Sequence, residues 1–60
     1  MTRRDYVMLS GALKRATDRA ENADELNGVR AATEEIAGAI SERSSEFDVP
    51  KFITDSGVAK

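Results

Sequence analysis

The stretch NADELNGVRAATEEIAGAISER, residues 22–43, decides the fold. Within it Leu26, Val29, Thr33, Ile36 and Ile40 recur at steps of three and four, which places them on one face of an α-helix. Asn22 stands three residues before Glu25, the spacing of a capping box. The Asn oxygen accepts the N–H of Glu25, and the Glu side chain reaches back to the cap. Ser44-Ser45 and the following Phe47-Asp48 end the pattern, so a helix over about 23–43 is expected.

Working outward, residues 3–20 repeat the helical spacing through Tyr6, Leu9, Leu13, Ala16 and Ala20, with Met8 and Ala12 widening the stripe. Thr2 can cap this helix, and Asp5 sits in its first turn, where a negative charge suits the helix dipole. The break at Ala20 to Asp24 is short, and two helices joined this tightly lie antiparallel. Leu9 and Leu13 then face the Val29–Ile36 section, with Tyr6 near Ile40. On the other side, Asp48 caps a short third helix over about 49–56, with Pro50 tolerated in its first turn and Gly57 ending it. Phe47, Val49, Phe52 and Ile53 give this segment an apolar side. It is expected to close the open end of the hairpin, leaving Val58 to Lys60 to fray. The fold class is all-α: one domain over 1–60, an antiparallel hairpin with a short third helix, able to self-associate into a small bundle such as a homodimer.

Composition explains the appeal of a partner. Hydrophobic residues make up 40% of the chain, but nine of them are Ala. Sixty residues bury only about 60% of the surface their unfolded chain exposes. There is no Cys to form a disulfide and no His to build the usual zinc site. No apolar run reaches the roughly 18 residues of a membrane span. The Arg3-Arg4 start runs into Asp5 and a mixed stretch, unlike a signal peptide. A soluble cytoplasmic protein is expected, without cofactor or metal and away from membranes.

The ends of the chain carry a resemblance. Met1-Thr2-Arg3-Arg4-Asp5-Tyr6 with Ala12-Leu13, then Phe47-Asp48, Lys51-Phe52 and Gly57, resemble small proteins encoded by bacteriophages and prophages. Val49-Pro50 and Ile53-Thr54-Asp55-Ser56 depart from the basic or alanine-rich residues expected there. The resemblance implies a helical cytoplasmic accessory protein that binds a host or phage macromolecule; it carries over no catalytic position.

The residues themselves argue against chemistry. Without His or Cys the common nucleophilic triads are missing, and a Ser–Lys pair needs a buried pocket that this thin core hardly provides. Of the neighbouring acids, only Glu42 and Glu46 stand four apart on a helix; Asp24-Glu25 and Glu34-Glu35 diverge by about 100°. The four glycines form neither a phosphate-binding nor a dinucleotide spacing. An enzyme is not expected.

Charge is uneven. Residues 1–20 carry a balance of +3, residues 21–48 of −6 and the last twelve of +1, for a net −2. Arg3, Arg4, Lys14, Arg15 and Arg19 are the best nucleic-acid candidates, since a basic strip gains affinity by releasing counterions from phosphates. Asp5 and Asp18 interrupt that strip, and the simpler reading is attraction between a basic first helix and an acidic second one. Gly11 and Gly38 each lie two positions past a core residue, so both point away from the hairpin seam, where a second chain could pack. The candidate partner-binding residues are therefore Arg4, Val7, Met8, Gly11, Lys14 and Arg15 on the first helix. Glu34, Glu35, Gly38 and Glu42 follow on the second. The expected function is binding, and in one form inhibiting, a host or phage protein. The alternative is a small DNA- or RNA-binding regulator using the basic helix.

Overall fold

Three helices follow one another in the computed structural model, which describes residues 1–58: α1 (Arg3–Arg19), α2 (Ala23–Arg43) and α3 (Val49–Asp55). Each start is set by a side chain that accepts an otherwise orphaned N–H. Thr2 Oγ1 accepts from Asp5 N–H at 3.1 Å, Asn22 Oδ1 from Glu25 N–H at 2.9 Å and Asp48 Oδ1 from Lys51 N–H at 3.0 Å. Glu25 reaches back one residue further than a capping box requires: its Oε1 accepts from the Glu21 N–H at 2.8 Å, not from Asn22. Pro50 occupies the first turn of α3, and the turn after it places Gly57 at φ 78°, a left-handed conformation that suits a residue without Cβ.

The third helix departs from the expected lid. Its aromatic side does reach the open end of the hairpin, where the rings of Tyr6, Phe47 and Phe52 meet with centroids 5.3–6.2 Å apart. The segment then continues along the hairpin toward the α1–α2 turn. There the Ser56 carbonyl accepts from Thr17 Oγ1 at 3.2 Å, and the Val58 carbonyl accepts from Arg30 Nη2 at 3.2 Å. Val58, expected to fray, is 1% exposed; Ala59 and Lys60 lie outside the described residues. The physical reason is the scarcity of large apolar groups: Val58 supplies one at the turn end, and Arg30 fixes the backbone that carries it.

The buried centre is therefore a three-helix seam and not the hairpin stripe alone. It holds Phe52, Val58 and Ala37 together with the hydroxyl residues Ser10, Thr17, Thr33 and Ser56. Each hydroxyl donates to the carbonyl four residues earlier on its own chain: Ser10 to Tyr6, Thr17 to Leu13, Thr33 to Val29 and Ser56 to Phe52, at 2.7–2.9 Å. A buried hydroxyl costs little when its proton is satisfied in this way. Leu9, Leu13, Leu26, Val29, Ile36 and Ile40, the aliphatic stripe of the sequence, are all only half-buried.

Candidate interaction surface

The candidate residues of α1 emerge on its outer side because the seam takes the other. Tyr6, Ser10 and Thr17 repeat at about 100° per residue to define the buried edge. Val7, Met8, Gly11 and Arg15 fall on the arc opposite α2. Val7 and Met8 are 58% and 60% exposed. A Cβ at Gly11 would meet only Arg15 Nη1, at 3.5 Å, so Arg15 lies across a bare stretch of helix. Arg4 is exposed on the same arc. Lys14 leans the other way, toward α3: its Cγ stands 3.5 Å from where a Gly57 Cβ would lie, and its ammonium is 3.7 Å from Asp18.

Beside Val7 the surface continues onto α3. Arg3, Tyr6, Val7, Ser10, Lys51 and Asp55 line a shallow cleft. Tyr6 donates to Asp55 Oδ2 at 2.6 Å, Lys51 Nζ donates to the same oxygen at 2.8 Å, and the ammonium sits 5.1 Å from the Tyr6 ring centre. Bonds from Lys51 and Tyr6 hold the Asp55 carboxyl below its ordinary range. The same carboxylate raises Lys51, the reverse of the depression a general-base Lys requires. Burial, and then Asp55, pushes the Tyr6 hydroxyl up. Sequence reading overlooked Arg3 and Lys51 as members of this surface. Lys51 one turn before Asp55 was the available signal, since that i,i+4 spacing builds the pair that meets Tyr6.

On α2, Glu34, Glu35, Gly38 and Glu42 are exposed along the arc facing away from α1, and a Cβ at Gly38 would meet nothing within 4 Å. The two candidate strips consequently lie on opposite flanks and do not form one site. No ion pair joins α1 to α2 among the described residues. Among the described residues the ion pairs are Lys14–Asp18 and Lys51–Asp55, each within one helix. With their charged residues on outward arcs, the two helices cannot bring the opposite charges within reach across the seam.

No cluster of acids among the described residues is arranged to hold a metal ion, and none of their helices is long and apolar enough to cross a membrane. No family model matches the chain, and no curated protein or solved structure is similar to it.

Proposed function

We propose that this is a non-catalytic, cytoplasmic accessory protein of the bacteriophage type, which acts by docking on a host or phage protein and blocking it. The observation that carries the reading is the outer surface of α1. There two large apolar side chains stand in solvent beside a glycine, within a margin of Arg4, Lys14 and Arg15. An apolar patch with a charged margin is the ordinary make-up of a protein-binding surface. The cleft beside Val7 offers a recess for one side chain of the partner.

Capture from bacterial lysate by the immobilised protein tests the reading. Gly11→Leu adds bulk where only the flexible Arg15 side chain lies and preserves the helix, and Val7→Asp places a charge in the patch. Both variants are expected to lose a protein that the parent retains through nuclease treatment and moderate salt. Retention of that protein by both variants would overturn the proposal. Capture that disappears with nuclease and falls steeply with salt would replace it with the nucleic-acid reading.

A further inference from the structure

The face of the hairpin that α3 leaves uncovered carries a second, separate message. In this chain small and hydroxyl side chains join Phe52 and Val58 in the buried seam, while the aliphatic side chains of α1 and α2 are only partly covered. By helical spacing the partly covered Leu9 and Ala16 on α1, and Val29 and Ile36 on α2, lie between the seam and the uncovered side, and the exposed Ala12, Ala32 and Ala39 extend the same surface. At about 1.5 Å per residue along helices about 10 Å across, this face measures about 25 by 20 Å.

We propose that a second copy of the chain covers this face, in a two-fold dimer whose axis runs along the hairpin and sets α1 of each copy antiparallel to α2 of the other. Charge selects the occupant and the orientation. Arg4, Arg15 and Arg19 border the uncovered face on α1; Asp24, Glu35 and Glu42 border it on α2. All six are exposed, and none forms an ion pair among the described residues. With the axis along the hairpin, both turns lie at the same end. Arg4 then meets Glu42 of the second copy at the open end and Arg19 meets Asp24 at the turn, while Arg15 and Glu35 stand on the facing borders between them, about 6–10 Å apart along the axis. Asp5, the one acid on this side of α1, comes to the end that holds Arg43. The other face-to-face packing lays α1 on α1 and α2 on α2, and sets like charges together.

The apolar face supplies the attraction and the charges supply the choice. Two such faces bury about 1,000 Å² in total, the lower bound for a specific interface. Each exposed ion pair adds only about 0.2–1 kcal/mol, whereas like charges brought together oppose binding strongly. The Ala residues permit close helix approach, and Met8 comes to lie over the surface near Gly38 and Ala39. This dimer does not rest on the docking proposed above, although it draws on Arg4, Met8 and Arg15 of that surface; it leaves Val7, Gly11 and Lys14 accessible, and mass in solution reads the one while capture by the Val7 and Gly11 variants reads the other.

Sedimentation equilibrium of the purified chain tests it. The expected mass is twice the 6.5 kDa of the chain. Reversing the α1 border (Arg4→Glu, Arg15→Glu, Arg19→Glu) is expected to weaken association by at least about tenfold. Adding Asp24→Arg, Glu35→Arg and Glu42→Arg to that triple variant restores the dimer, with circular dichroism reporting that each variant remains helical. A spin label at Glu21→Cys reads the orientation: the two labels are expected well inside the 33 Å length of one molecule. A monomer at all concentrations, a triple variant as tightly associated as the parent, failure of the six-fold exchange to restore association, or labels further apart than that length would each overturn the proposal.

Discussion

The rings at the open end and the hydroxyls toward the turn fill the same three-helix seam by different means. At the open end Tyr6, Phe47 and Phe52 bring area: large faces tilted or edge-on, with Phe52 fully enclosed. From the middle of α2 to the turn, Thr33, Thr17 and Ser56 bring little area but allow the backbones to approach, each bonded to a carbonyl four residues earlier. A chain with three aromatic rings and few aliphatic residues can afford one well-filled end. The other end is closed by small side chains and Val58, with no buried polar side-chain atom left unpartnered among the described residues.

Breaking the aromatic end has the largest expected effect. Phe52→Ala removes a ring with no exposed surface, at a cost of about 3–5 kcal/mol. A 60-residue domain holds roughly 3–9 kcal/mol in all. Thermal unfolding followed by circular dichroism should show a broad, low transition or none. Next comes overfilling the hydroxyl end. Thr33 is enclosed where helices meet, so Thr33→Leu is expected to cost about 1–3 kcal/mol in urea unfolding. Tyr6→Phe preserves the ring and loses only the bond to Asp55, lowering the midpoint less than either.

The pH profile sharpens the same contrast. Asp55 is depressed in the fold, so its contribution is present above its unfolded value of 3.8 and fades as acid carries the solution through the lower folded value. Tyr6 is raised, so its contribution is complete below 10.0 and fades as alkali passes the higher folded value. Tyr6→Phe should abolish the alkaline loss that belongs to this hydroxyl. The smallest effect belongs to Thr33→Val, which keeps the shape and removes a hydroxyl bonded only to its own helix. A change below about 1 kcal/mol is expected in the same urea assay.

The helices were legible because three capping residues, Thr2, Asn22 and Asp48, each precede a run with helical periodicity. The meeting of Tyr6 with the two Phe was legible too, since few other rings or large aliphatics were left to enclose them. What the chain concealed was the use of Ser10, Thr17 and Ser56 as core. A hydroxyl satisfied four residues back behaves as a small apolar group, and a search for apolar spacing passes over it. That omission moved the inferred seam toward Leu9 and Ala16, which are only partly buried, and hid the path of α3 toward the turn. The outward placement of Val7, Met8 and Gly11 followed directly from helical spacing. The fate of the opposite charges did not, because it depends on which arcs face across the seam.

The bond from Tyr6 to Asp55 spans 49 residues, and that from Thr17 to Ser56 spans 39. A hairpin formed by itself would enclose almost nothing, since its interior is completed only when the far end of the chain arrives. Folding must therefore close the longest loop before most of the reward is collected, which slows a helical protein relative to bundles built from neighbouring contacts. In hydrogen exchange, amides at the middle of α1, α2 and α3 should open with one common free energy.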